Sequence, residues 1–268
     1  MSHGSLLILR QELRQKARDF AVDLIATLRE APASKTVVTL APPHPVYQYI
    51  KGKRKAFSAR ASYSLLLTKL GAFVDEFGTP IIIGPVMVRS GNKNYLDVVG
   101  ILPHAAPVTL ARKVVEIEDK ISGSFSVGKF RVDGAEICAV VGDDMSYPEI
   151  SRACALLGAD VIMFFVPPLI TPYSPKETEW LASVRSHENG VPVIVIGGYA
   201  DEFIAQPTII TSSEGEILES RMDASRFMLE VTIKRLGRSG NERLAKRYIN
   251  MLKKSKELIR IKKKKIGS

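Results

Sequence analysis

Apolar residues recur along the chain with two periods, and the switch between them sets the expected order of elements. Residues 6–10 form a short apolar run suited to a strand. Leu13, Ala17, Phe20, Ala21, Leu24, Ile25 and Leu28 then recur at three- and four-residue intervals with charges between them, which predicts an amphipathic helix ended by Pro32. Residues 35–41 are β-branched and apolar and run into Pro42-Pro43, as a buried strand would. A polar, basic loop holding Lys51, Lys53, Arg54 and Lys55 comes next. Helical spacing returns over 63–77, with Gly78 where a C-cap glycine belongs. Strands are expected at 81–88 and 95–102, joined by the turn Ser90-Gly91-Asn92.

The second half repeats this order in outline. Residues 114–118 and 129–132 alternate as strands do, and Asp133-Gly134 is a strong hairpin signal before a strand at 136–141. Pro148-Glu149 opens a helix that Gly158 closes. A buried strand at 161–166, a helix at 176–188 and strands at 191–196, 207–211 and 217–219 complete the pattern. Strands alternating with helices, together with strand pairs, predict layered α/β packing. No linker interrupts residues 6–234, so they are expected to form one domain, with 235–268 as an extension.

Composition narrows the class. Of 268 residues, 46% are hydrophobic and 25% charged, ordinary values for a globular chain. No apolar stretch approaches a membrane span, and no basic region followed by an apolar core and cleavage site opens the sequence. Two cysteines make no disulfide framework. The four histidines lack metal-ligand spacing and there is no Cys-x-x-Cys pair, so neither a metal nor a cofactor is expected. These features predict a cytoplasmic protein. The segment 123–129 has the spacing of a phosphate-binding loop, but Phe130 stands where Ser or Thr would ligate magnesium. The residues after it alternate as a strand does, whereas the motif needs a helix, so phosphate binding there is rejected.

Charge is unevenly placed. Residues 235–268 hold 13 Lys/Arg against two acidic residues, a net of +11, while the rest of the chain sums to −1. Leu244, Tyr248, Met251, Leu252 and Ile259 recur at helical intervals. Arg243, Lys246, Arg247, Lys253, Lys254, Lys256, Arg260, Lys262, Lys263, Lys264 and Lys265 fill the positions between. An amphipathic helix with a wide basic face is expected. It either packs on the body or a partner subunit, or contacts a polyanion such as nucleic acid, ribosomal RNA included. An anionic membrane surface fits less well, because the helix has no Trp and few large apolar residues.

One segment carries most of the chemistry. Residues 133–164 contain Gly134, Asp144, Tyr147-Pro148-Glu149, Arg152 and Gly158-Ala159-Asp160 in order; Asn94-Tyr95 precedes them, and Arg185-Ser186-His187-Glu188-Asn189 comes after. This ordered set resembles the nitrilase superfamily of carbon–nitrogen hydrolases over about residues 6–234. The resemblance implies an α-β-β-α sandwich and a homodimer or larger assembly. It also implies a triad in which a glutamate base activates a cysteine and a lysine stabilises the developing charge.

Two members of that triad are missing at the matched positions. Pro43 stands at the glutamate position and Gly142 at the cysteine position; Lys113 matches the lysine. Glu149 and Glu188 match supporting positions, and Lys113, Asp144 and Tyr147 are the candidate binding residues of the vestigial pocket. Lys113 could also be structural, paired with Glu116 or Glu118. Cys138 lies four residues early within the strand, and Cys154 falls on the following helix as a small apolar residue. The expected function is therefore a pseudoenzyme acting as a binding or assembly protein. Two alternatives remain: an active amidase with an unrecognised nucleophile, and a binder of a small carboxylate or amide through Lys113.

Overall fold

The computed structural model describes residues 3–10, 12–13, 17–30, 35–41, 59–116, 121–124, 127–168, 172–199 and 205–266. In chain order these form β1 (His3–Arg10), α1 (Ala17–Leu28), β2 (Thr36–Leu40), α2 (Ala59–Phe77), β3 (Ile81–Ser90), β4 (Lys93–Ile101) and β5 (Val108–Arg112). Then come β6 (Gly128–Val132), β7 (Ala135–Val141), a 3-10 turn (Gly142–Ser146), α3 (Pro148–Leu156), β8 (Val161–Phe165), α4 (Pro175–Asn189) and β9 (Val193–Ile196). The chain ends with β10 (Gly198–Tyr199), β11 (Ala205–Gln206), β12 (Thr208–Thr211), β13 (Ile217–Arg221), β14 (Phe227–Lys234) and α5 (Glu242–Ile266).

Two six-stranded sheets result, ordered β14-β1-β2-β3-β4-β5 and β13-β12-β9-β8-β7-β6. Each has three parallel central strands, β1-β2-β3 and β7-β8-β9, flanked by antiparallel neighbours. The central strands are near-continuous apolar runs because both of their faces are covered. In the second sheet the alternation divides two cores. Ile137, Ala139, Val141, Met163 and Phe165 join the cluster shared with the first sheet and with Phe20, Leu24, Leu66 and Phe73 of α1 and α2. Cys138, Val140, Ile162 and Phe164 face the other way, against Ile150 and Ala153 of α3, Ala182 of α4, and Ala245, Ile249 and Leu252 of α5. Each fully buried large apolar side chain contributes about 1.5–3 kcal/mol, so these two clusters hold the layers together. The arrangement is the expected α-β-β-α sandwich.

Several local expectations match. Asp133 and Gly134 both adopt left-handed backbone (φ 46° and 83°) and join β6 to β7 through a two-residue turn. Residues 128–132 form a strand. Gly78 closes α2 with φ 69° and donates to the carbonyl of Val74.

Other expectations need correction. The strand expected at 114–118 is not seen in its described part: pairing with β4 ends at Arg112, and the amides of Val114 and Val115 donate to the Asp144 carboxylate at 2.6 and 3.1 Å. Its place is taken by β5, which lies just before it in the chain. The strand β14 is an addition to the expected set; it returns the chain to the first sheet beside β1. The two cysteines are bonded to each other. Cys138 and Cys154 have Cα atoms 5.6 Å apart and form a disulfide between the outward face of β7 and the inward face of α3.

The segment leading into the basic helix is pinned to the body. The Leu236 amide donates to Asp160 Oδ1 at 2.5 Å, and the other oxygen of Asp160 accepts from the Glu136 amide at 2.8 Å. Arg238 donates to the carbonyls of Asn189 and Gly190 at the end of α4, at 3.1 and 2.8 Å. The Asn241 amide donates to the carbonyl of Leu156 at 2.5 Å. Orphan carbonyls at the ends of two helices are thereby satisfied. On α5 the buried positions are Ala245, Ile249 and Leu252, while Met251, expected on the apolar stripe, is 53% exposed.

Candidate functional site

The candidate site lies where β5 and β7 end, at the seam between the two sheets. β7 runs buried to Val141 and stops at Gly142, whose φ of +59° turns the chain out of the sheet. Glycine adopts this conformation freely, whereas a side chain there would be strained. The space beside it is nonetheless open: a Cβ at Gly142 would meet no atom of the described residues within 4 Å. The 3-10 turn then carries Asp143, Asp144, Met145 and Ser146, and Pro148 opens α3 at a position where its missing N–H costs nothing.

The turn is held from outside by α4. Arg185 donates to the carbonyls of Met145 and Ser146 at 2.9 and 3.0 Å and to Glu188 Oε1 at 2.8 Å. Arg152 donates to the carbonyl of Glu188 at 2.7 Å. Glu188 therefore supports the turn through Arg185. Glu149 is half-buried in the first turn of α3, where its charge suits the helix macrodipole. Tyr147 caps α3 in extended conformation, with its amide on the carbonyl of Asp144 at 3.1 Å.

Lys113 is the hub. Its amide donates to the carbonyl of Leu96, and its own carbonyl accepts from the Ser124 amide, both at 2.8 Å. Its ammonium lies 2.6 Å from Asp143 Oδ1 and 2.7 Å from Asp144 Oδ1. Lys113 and Asp144 are 1% and 0% exposed, so this is a buried ion cluster rather than a surface pair. Burial works against the charge on Lys113, but Asp144 and then Asp143 outweigh it and hold its pKa above the ordinary lysine value. Burial likewise pushes Asp144 up, opposed by Lys113 and by the Val114 amide. Its neighbour Arg112 points to the other side of the chain. There it forms a bidentate pair with buried Asp97, both contacts at 2.7 Å, and stacks over Tyr95.

These contacts bring Lys113 against Asp143 and Asp144, on the turn that Gly142 opens. Lys113 takes Asp143 and Asp144 as its ion-pair partners, where the sequence suggested Glu116 or Glu118. Pro43 and Glu118 lie outside the described residues. Sequence reasoning missed Asp143, Ser146 and Tyr173. The Ser146 hydroxyl donates to the carbonyl of Asp143 at 2.8 Å, and the Tyr173 hydroxyl lies 3.5 Å from the same oxygen. Burial raises the Tyr173 pKa. Of the three, Asp143 is the legible one, since it directly follows Gly142.

The chemistry open to this arrangement is limited. An ammonium has three donors, and two of Lys113's are spent on carboxylates. Among the described residues Asp143 and Asp144 both engage the Lys113 ammonium and compete with any oxyanion placed beside it. Cys138 and Cys154 are tied up in their disulfide, so neither sulfur is a thiolate. Among the described residues no group of three or more His, Cys, Asp or Glu could hold a metal.

The family model for carbon-nitrogen hydrolases matches residues 13–238, and the chain belongs to that family. Solved structures with the same fold include a doubly substituted amidase from Nesterenkonia sp. in complex with acrylamide. It has 15% identity and a TM-score of 0.66, with 87% of this chain and 92% of that one covered. A structure of a singly substituted form of that amidase, at 15% identity and TM-score 0.65, covers 87% and 90% of the two chains and shows the acetamide moiety of fluoroacetamide added covalently at the active site cysteine. A carbon-nitrogen hydrolase from Helicobacter pylori is similar over 94% of this chain and 93% of its own, with 15% identity and a TM-score of 0.67. At such identities the likeness concerns the fold. No curated protein matches the sequence. Among the described residues no helix is long and apolar enough to cross a membrane.

Proposed function

We propose that the chain is a carbon–nitrogen hydrolase homologue that has lost acyl transfer at the family site and serves as a binding or assembly protein. The observation that carries this is Gly142, a residue with no side chain at the turn where the family's nucleophile is expected. Loss of a nucleophile in enzymes that work through a covalent intermediate costs on the order of a million-fold in turnover. The engagement of Lys113 by Asp143 and Asp144 supports the same conclusion, and also weighs against a small carboxylate ligand held by Lys113. The basic helix α5 is proposed to contact a polyanion, and the body to pair as a homodimer or larger assembly, as its family resemblance implies. Hydrolysis of a broad panel of short amides and nitriles tests the first claim. The expected outcome is no turnover above that of heat-denatured protein; saturable hydrolysis of any member of the panel by native protein would establish an active amidase instead. Light scattering across a concentration series tests assembly, and a monomer at all concentrations would sink it.

A further inference from the structure

We propose that the outer face of the first half of α5 is a nucleic-acid backbone site; this rests on the proposed polyanion contact and narrows it to one groove. Ala245, Ile249 and Leu252 fix α5 against the body, so the opposite face is presented on a held backbone. A groove of about 690 Å³ lies there, lined by Asn241, Arg243, Lys246, Arg247, Asn250 and Lys254, with Leu244 and Met251 supplying its apolar surface. No acidic residue is among these lining residues. Positions 243, 246/247, 250 and 254 fall one per helical turn, which sets polar groups about 5.4 Å apart over about 16 Å. A regularly repeated charge such as a phosphodiester chain meets such a row at several points at once, and cations on an anchored helix lose little freedom on binding.

The same anchoring argues against a membrane. A helix that lies in a bilayer interface buries its apolar face in lipid, and the first half of α5 has spent Ala245, Ile249 and Leu252 on the protein core. Lys253 is also committed inward. Its ammonium donates to the carbonyl of Ser124, and although burial lowers its pKa, Glu116 and Asp144 favour its charge. The basic residues of this half therefore divide into an inward anchor and an outward row.

The test compares three proteins that keep the whole sandwich: the native chain, the exposed triple variant Arg243→Glu/Lys246→Glu/Arg247→Glu, and a chain ended after Lys254. Binding to short labelled single-stranded RNA, to duplex RNA and to duplex DNA is followed across a salt series. Each phosphate contact adds about 0.7–0.9 to the salt slope, so the triple variant is expected to lose at least about tenfold in affinity and about 2–3 units of slope. The shortened chain is expected to keep most of its slope. If shortening abolishes binding while the triple variant binds as the native chain does, the groove is wrong although the polyanion contact stands. If the native chain binds no nucleic acid at any salt, both fall. Equal binding to polyglutamate, or tighter binding to phosphatidylserine vesicles, would overturn the choice of ligand.

Discussion

Replacing Lys113 with Met removes the cation at the hub of the candidate site while keeping a side chain of similar length. It leaves Asp144, 0% exposed, and Asp143 in the turn after β7 without the ammonium that pairs with both. Breaking a buried pair by deleting one partner typically costs about 3–5 kcal/mol, because the remaining charge stays desolvated. Asp144 retains its two backbone donors, Val114 and Val115, so the lower end of that range is expected. The pH dependence is equally specific. In the variant Asp144 keeps the burial that raises its pKa but loses Lys113, the largest opposing influence. Its folded-state pKa, already raised in native protein, then sits further above the unfolded value of about 3.9, so stability falls more steeply as pH rises above about 4. Native protein shares the direction of that shift, held smaller by Lys113, and adds a liability at the alkaline end. The folded pKa of Lys113 is raised above the ordinary 10.5, so its stabilisation is complete below that pH and is lost as pH rises through the folded value. Urea melts of both proteins from about pH 4 to 9, spanning the unfolded carboxylate pKa and neutrality, measure the difference. It should be smallest at the acid end, and Asp144→Asn in the Lys113→Met background should recover part of it at neutral pH. A variant as stable as native protein throughout, or a deficit independent of pH, would refute a buried ion cluster.

The disulfide closes a loop with a sequence separation of 16 that contains the whole turn 142–146. Its loss in Cys138→Ala/Cys154→Ala is expected to cost about 3 kcal/mol, or roughly 6–12 °C in Tm by calorimetry; an unchanged Tm would show that the bond contributes nothing. Two left-handed glycines should behave differently when changed to Ala. At Gly142 the new Cβ has open space and only backbone strain is added, about 1–2 kcal/mol, whereas at Gly158 it would also lie 2.8 Å from the carbonyl oxygen of Arg238 and 3.0 Å from the Gly240 nitrogen. Denaturant melts should therefore rank Gly158→Ala as the more damaging, and the reverse order would contradict the pinned course of residues 235–241.

The features legible in the sequence come from local physics. The Asp133-Gly134 hairpin needs two positive φ values, which that pair tolerates better than others, and β8 and β9 announce themselves as β-branched or aromatic runs. The concealed features depend on partners distant along the chain. Residues 108–112 and 114–118 alternate about equally well; the choice is made by Asp144, thirty residues on, which takes the Val114 amide out of the ladder. The same distance hides Lys113's true partners. The disulfide is concealed because each cysteine, taken locally, is a plausible small apolar residue on its own element. Alternation along β7 nonetheless places Cys138 with Val140 on the helix side, toward the face of α3 that holds Ile150 and Cys154. On α5 the small residue Ala245 lets the helix approach the body closely and turns the buried stripe to 245, 249 and 252. Met251 is left outside, although its hydrophobicity suggests the opposite.

Covalent trapping tests the central claim of an absent nucleophile most directly. The acetamide moiety of fluoroacetamide adds at the active site cysteine of a substituted form of the similar Nesterenkonia amidase. Native protein incubated with the same reagent is expected to keep its unmodified intact mass. A one-to-one acetamide adduct on native, non-reduced protein, mapped by peptide sequencing to a residue beside Lys113, would contradict an inactive site.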